Sequence, residues 1–413
     1  MNLPRIALLG VLLMFATARG RAETRGPDDL PITITRLSER VIVLDCLDVN
    51  VVAVAADSGV VVIDTGFSPS LMRSLAAVIE HEFGRRDFRY VINTHGHWDH
   101  CSGNQVFPQA TIVAHEACPE FMKHNRADAF RSRLSLGRRL ARAEAGGDPS
   151  RLTAAEAAKT AAENRARRMV LSDLQNGYVL APPTRTFSDR LTLDLGDLTF
   201  ELCFAGSAHT NNDLLIYVPQ EKLLLSGDLF CSATAFCFPV DPLVDVCRLA
   251  DQMAKLLQSA TGIETIVPGH GETLSRADLV QLHESLLQGY AELAGKRSGA
   301  ALLASIIDDQ GVDAALDRYR RLMGADSGGF YFKEEEVNRL AQRMWWRGQA
   351  ETAIKVLELS LSRFPRSPLL YDSLGNVQLE RGDTASAVAS YRQSLALFPE
   401  NRSLAEVIEA LED

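Results

Sequence analysis

Residues 32–64 are written as short apolar runs separated by polar breaks. Val41-Ile42-Val43-Leu44, Val51-Val52-Ala53-Val54 and Val60-Val61-Val62-Ile63 are rich in β-branched residues. Residues 45–50 part the first run from the second, and Ala56-Asp57-Ser58-Gly59 part the second from the third, so three strands are predicted. After Asp64-Thr65-Gly66 the period changes. Leu71, Leu75, Val78 and Ile79 predict a helix over 70–83. Tyr90-Val91-Ile92 and residues 110–114 read as further strands.

From about residue 116 to 180 Arg, Ala and Glu dominate, and 154–171 suits a helix. This stretch reads as a mostly helical insertion over one edge of the domain, closed by Pro182-Pro183. The strand pattern resumes at 190–195, 198–204, 214–218 and 222–226. A helix at 244–259, a strand at 265–267, the turn Pro268-Gly269-His270-Gly271 and a long helix at 276–293 complete the domain. Beyond Gly299 the pattern is helical throughout. Leu340, Ala341, Gly348, Ala353, Leu357 and Pro365 recur 34 residues later as Leu374, Gly375, Gly382, Ala387, Tyr391 and Pro399. That period, with small residues where helices cross and Pro at the end, resembles tetratricopeptide repeats. Two units are fewer than a free-standing solenoid needs, so they are expected to pack on the preceding helices or on another subunit.

A length of 413 residues exceeds one typical domain and predicts two, one of them large. A net charge of -10 argues against a nucleic-acid backbone or an anionic membrane surface as partner. The first 22 residues run the other way, with Arg5, Arg19 and Arg21 and no acid. Arg5 precedes an apolar run over 6–17 that is too short to span a bilayer, and Ala18 and Ala22 offer cleavage sites. Residues 1–22 therefore read as a signal peptide, and the mature chain is expected in the periplasm or outside the cell, with no membrane span. Seven cysteines are too few for a disulfide scaffold; Cys231 and Cys237 form the first pair to test.

The chemistry concentrates in Thr94-His95-Gly96-His97-Trp98-Asp99-His100, directly after the apolar run Tyr90-Val91-Ile92. His95 and His97 are two apart and point the same way in an extended segment, whereas Asp99 and His100 are adjacent and can face a second centre. His209, Asp228 and His270 also lie at or just past the ends of apolar runs, where a sheet sandwich presents its loops. Five of the nine histidines belong to this set. His81, His115, His124 and His283 lack partner spacing and read as structural or exposed. Trp98 reads as packing that holds the ligand loop.

The motifs His-Gly-His-Trp-Asp-His at 95–100, Ala-His-Thr at 208–210, Ser-Gly-Asp at 226–228 and Pro-Gly-His-Gly at 268–271 resemble the metallo-β-lactamase superfamily, over about residues 32–293. The resemblance implies an α/β fold, the αβ/βα sandwich, followed here by an all-helical repeat domain. It implies boundaries of 23–295 for the sandwich with its insertion at about 116–180, 296–335 for a helical connector and 336–413 for the repeats. It also implies two metal ions per chain. His95, His97 and His209 would hold the first; Asp99, His100 and His270 the second; Asp228 would bridge them. Imidazole with carboxylate suits Zn²⁺. Asp64 matches the family's carboxylate that orients a ligand imidazole.

Two cations held together make a bound water acidic near neutrality, and Asp99 can orient it or take its proton, so the implied reaction is hydrolysis of an ester, thioester, lactam or related bond of a small molecule. His97 stands where the diiron flavoprotein branch carries Glu. Asp228 stands where one subclass of zinc β-lactamases carries Cys, so the arrangement is the glyoxalase II-like and phosphodiesterase-like one. Asn212, with Asn211, either donates to a substrate oxygen or belongs to a polar turn after His209. Phe230, with Phe236 and Phe238, either lines an apolar pocket or joins the core. A second reading is a metal-binding scaffold without turnover whose repeats recruit a protein partner or self-associate. An iron-dependent sulfur dioxygenase, which shares the first motif, is a minor alternative.

Overall fold

The computed structural model describes residues 21–23, 30–124, 140, 153–177, 180–206, 209–230, 253–258, 262–290, 296–324, 329–346 and 348–412. Most of the proposed signal, Cys231, Cys237, Phe236, Phe238 and most of the helix expected at 244–259 lie outside them; residues 253–258 of that helix are helical.

Strands β1 (Arg21–Glu23), β2 (Thr33–Arg36), β3 (Val41–Cys46), β4 (Val49–Ala56), β5 (Gly59–Ile63), β6 (Phe88–Ile92), β7 (Thr111–His115) and β8 (Arg185–Phe187) form one sheet in chain order. β1 to β5 are an antiparallel meander; β5 to β8 are parallel. The second sheet runs β14-β13-β12-β11-β10-β9, from β9 (Arg190–Asp194), β10 (Thr199–Phe204), β11 (Leu214–Val218), β12 (Leu223–Gly227), β13 (Thr265–Pro268) and β14 (Leu274–Ser275).

The period of two along each strand divides one apolar run between two cores. Val41, Val43, Val52, Val54, Val61 and Ile63 face the second sheet and pack on Phe200, Leu202, Leu214, Ile216 and Leu225. Ile42, Leu44, Val51, Val60 and Val62 face outward onto helix α1 (Pro69–Phe83) through Leu71, Leu75 and Ile79. On the far side of the second sheet Leu224 and Ile266 pack on Met253 and Leu279. The molecule here is therefore two sheets face to face with helices outside both, and strands buried on both faces need continuous rather than alternating apolar sequence.

Short helices α2 (Trp98–Cys101) and α3 (Cys118–His124) follow β6 and β7. The insertion contributes α4 (Ala154–Asn176), opened by a capping box between Thr153 and Glu156. It runs five residues past the end expected from sequence, because Asp173 in its last turn accepts both Ser70 N and Ser70 Oγ at 2.8 Å and so caps α1. Ala166 and Val170 of α4 complete the outer core. Helix α5 (Arg276–Tyr290) closes the sandwich.

The C-terminal region is helical: α6 (Gly299–Gln310), α7 (Val312–Gly324), α8 (Glu334–Trp346), α9 (Ala350–Arg363), α10 (Pro368–Glu380), α11 (Thr384–Leu397) and α12 (Arg402–Glu412), with a parallel ribbon of β15 (Arg297–Ser298) and β16 (Phe330–Tyr331). α6 and α7 share one core with α8, α9 and α10. Residues expected only to connect the two regions thus help bury the helices that follow. At the 34-residue positions Leu340, Ala353, Leu357, Ala387 and Tyr391 are buried. Gly375 is glycine for a steric reason: a Cβ there would lie 2.5 Å from the Tyr391 ring.

Candidate metal centre

β3, β5, β6, β10, β12 and β13 run so that their C-terminal ends share one edge of the sandwich. The loops leaving that edge carry every ligand proposed from sequence. His95, His97, Asp99 and His100 leave β6; His209 follows β10; Asp228 follows β12; His270 follows β13. Among the described residues the only clusters with metal-ligand donors are His95, His97, His209 and Asp228, and beside them Asp99, His100 and His270; within each, the donor atoms lie within 4.8 Å of one another.

His97 Nδ1 faces His95 Nε2 and His209 Nε2, each at 2.9 Å. Asp228 Oδ2 lies 3.3 Å from His209 Nε2 and 3.7 Å from His95 Nε2, and also 3.5 Å from His270 Nε2. Asp228 Oδ1 lies 3.4 Å from His100 Nε2, is buried, and finds no hydrogen-bond partner among the described residues. His100 Nε2 and His270 Nε2 are 3.2 Å apart, and Asp99 Oδ2 is 3.4 Å from His270 Nε2. Donors about 2.0–2.1 Å from a tetrahedral cation stand ~3.3 Å from each other, which is the spacing found here. An orphaned buried carboxylate oxygen between two clusters of converging imidazoles fits two cations bridged by Asp228.

Two glycines explain why the strand-end motifs read as they do. A Cβ on Gly227 would lie 2.7 Å from Thr94 Cβ, and one on Gly269 would lie 2.1 Å from Asp228 Oδ1. The ligand loop and the two later motifs approach one another so closely that only hydrogen fits.

The imidazoles are oriented from behind. Asp64 Oδ2 takes His100 Nδ1 at 2.9 Å and the Thr94 hydroxyl at 2.7 Å, and Asp64 Oδ1 takes Thr94 N at 2.8 Å. Thr94 Oγ1 is in turn 3.1 Å from His95 Nδ1. One carboxylate therefore directs the Nε2 of His100 toward one cation position and, through Thr94, the Nε2 of His95 toward the other. His270 Nδ1 donates to the Asp48 carbonyl at 2.6 Å.

The two donor sets differ in charge. Burial, reinforced by His209, holds His97 down to about 3; burial and His100 push His95 the same way. Burial opposes charge on His100 and His270 as well, but carboxylates outweigh it. Asp228, Asp99 and Asp64 raise His100 well above its usual range, and hydrogen bonds to Asp228 and Asp99 raise His270 to about 10. Burial would raise Asp99, yet His100 and His270 lower it to about 2. The neighbouring carboxylates thus favour protonation of His100 and His270, whereas burial disfavours it on His95 and His97.

Asn212 is fully buried, donates one amide N–H to Asn211 Oδ1 at 2.9 Å and keeps Oδ1 under Gly96. Phe230 is 3 % exposed and packs with Leu224 and Met253 in the outer core of the second sheet, not on a pocket wall. His115 is structural: it stacks on Phe204, with Nε2 toward Ser188 O and Nδ1 accepting Ala117 N. Trp98 packs beside Phe67 over the outer core of the first sheet. Thr94, Asp48 and Asn50 were not singled out from sequence. The only trace of Asn50 is a polar residue at the start of a valine strand; that of Thr94 is its place directly before His95.

The chain belongs to the metallo-beta-lactamase superfamily, whose family model matches residues 44–270. It is 25% identical over 179 residues to the 2,4-dinitroanisole O-demethylase subunit alpha of Nocardioides sp. (strain JS1661), covering 43% of this chain and 39% of that protein's length. It is 22% identical over 231 residues to the metallo-beta-lactamase type 2 of Bacillus cereus, covering 56% of this chain and 70% of that one. Among solved structures, the metallo-beta-lactamase from Pontibacter korlensis aligns at TM-score 0.44 and 20% identity over 62% of this chain and 99% of that one.

Proposed function

We propose that the chain is an exported dinuclear zinc hydrolase acting on an ester, thioester, lactam or related bond of a small molecule. The observation that carries the reading is the pair of donor sets meeting on Asp228, whose Oδ2 faces His209 of the first set and His270 of the second while Oδ1 faces His100. His95, His97 and His209 with Asp228 would hold one Zn²⁺; Asp99, His100 and His270 with Asp228 would hold the other. Bound there, the cations supply Lewis acidity toward water and toward the substrate oxygen. Asp99, held low at about 2, is a carboxylate at neutral pH; its Oδ2 lies 3.4 Å from His270 Nε2 within the second set, where it would orient a water and accept its proton. Asp64 fixes the tautomer of His100, and burial keeps His95 and His97 neutral, which is the form that ligates.

The signal-like N-terminus is the basis for export. The C-terminal helices, with their 34-residue period, are proposed as tetratricopeptide-like and as the surface for a protein partner or for self-association. Metal analysis and a panel of chromogenic esters, thioesters, lactams and phosphodiesters test the reading; the demethylase relative adds aryl methyl ethers. Two zinc ions per chain and turnover abolished by His97→Ala support it. Two bound metals with no turnover across the panel would favour the scaffold reading.

A further inference from the structure

His270 is the ligand set apart from the rest. It is the most exposed of the second donor set at 21 % and stands on a turn of the second sheet, whereas Asp99 and His100 come from the first. Something must hold that turn in register with the opposite sheet.

The β3–β4 hairpin does so. Asn50 is 5 % exposed and spends both N–H bonds of its side-chain amide on the turn, Nδ2 lying 2.9 Å from Pro268 O and 2.9 Å from Gly271 O. Its backbone N donates to Gly269 O at 2.8 Å. Three hydrogen bonds from one residue thus span the carbonyls on either side of His270. Two residues back, the Asp48 carbonyl accepts His270 Nδ1. To present that carbonyl the hairpin closes through Leu47 (φ 60) and Asp48 (φ 70), both in the left-handed region, between paired Cys46 and Val49. Such a two-residue turn normally takes Asn or Gly, and a leucine held there is backbone strain at a place that faces a ligand.

We propose that Asn50 and the Asp48 carbonyl form a clamp that positions His270 and thereby sets the affinity of the second metal position alone. Asn50 is a positioning residue: it touches neither metal nor substrate. The clamp rests on the two-metal reading above for its consequence, but not for its geometry. It also accounts for a polar residue in an otherwise valine-rich strand, since Leu or Asp at 50 would leave the carbonyls of Pro268 and Gly271 without donors.

The test uses Asn50→Asp and Asn50→Leu in the full chain, with His270→Ala as reference. Stepwise Zn²⁺ affinities are read by competition with a chromogenic chelator, and hydrogen exchange of residues 265–275 is read in the metal-free protein. The expected result is faster exchange confined to that segment, a loss of about 10–100-fold at the Zn²⁺ step that His270→Ala also weakens, and little change at the other. Combining Asn50→Asp with His270→Ala should add nothing further to the loss. Equal weakening of both steps, or unchanged exchange over 265–275, would overturn the clamp. If the wild-type chain takes up one Zn²⁺ only, the two-metal reading fails by itself, and the exchange result alone then decides whether Asn50 holds the turn.

Discussion

Asp64 Oδ2 and His100 Nδ1 lie 2.9 Å apart, and the same oxygen receives the Thr94 hydroxyl at 2.7 Å. Asp64 has φ 58, a conformation that Asn adopts as readily as Asp, so Asp64→Asn removes the charge and one acceptor without disturbing the backbone. The amide would turn a donor toward either His100 or Thr94. We expect zinc affinity to fall by about 10–100-fold, with thermal stability close to wild type. Isothermal titration of the metal-free variant checks this. Unchanged affinity would show that the imidazoles are held by packing alone.

The metal positions should respond differently to pH. His97 is held to about 3 and His95 well below its usual value, so the first set needs no proton release above pH ~5. His100 is raised well above its usual value and His270 to about 10, so a metal entering the second set must displace protons. Raising the pH weakens that competition, so the affinity of the second set should climb by up to about tenfold per unit for each proton released, while that of the first set stays flat. Zinc titrations at pH 5.5, 6.5 and 7.5 check it; parallel slopes for the two steps would sink the idea.

Cys46 should resist alkylation while the chain is folded. Burial, reinforced by Asp45 and Glu163, pushes its thiol to about 12. The unfolded thiol, at its ordinary 9.0, loses its proton first, so between pH 9 and 12 the unfolded chain binds fewer protons and stability falls as pH rises. Cys101 and Cys118 are raised in the same direction, chiefly by burial, and add to the loss. Urea midpoints between pH 8 and 10 read the slope, and mass spectrometry after iodoacetamide treatment reads the protection.

Gly375→Ala should destabilise the C-terminal helices. Alanine is the better helix former, but its Cβ would sit 2.5 Å from the Tyr391 ring, which is itself fixed by a hydrogen bond to Asn376 at 2.8 Å. Overpacking of this kind costs about 1–3 kcal/mol, more than the ~1 kcal/mol that helix propensity returns. Thermal unfolding followed at 222 nm measures it. A rise in midpoint would mean that α10 and α11 can separate without loss.

Much of the site was legible because metal ligation demands particular side chains. His95, His97, Asp99, His100, His209, Asp228 and His270 are each placed within one donor set, and Asp64 touches His100 as the family resemblance implied. Phe230, read as pocket wall or core, takes the core position, and Asn212 is fully buried. Proximity in sequence to Asp228 and His209 says nothing of which way a side chain turns, and Phe230 turns into the outer core while Asn212 turns beneath Gly96. The end of α4 was missed because Asp173 is held by Ser70, more than 100 residues away.

By itself the sequence indicated most of the strands and helices and the loop that carries four candidate ligands, because periodicity and donor type are local properties. The division of those donors and the central place of Asp228 were implied by the family resemblance; tertiary structure alone decided that Asp228 Oδ2 faces His209 and His270 together, and that Asn50 and Asp48 hold His270 from across the sandwich. These depend on the parallel crossovers that bring six strand ends to one edge, and on approaches between segments too close for any residue but glycine at 227 and 269.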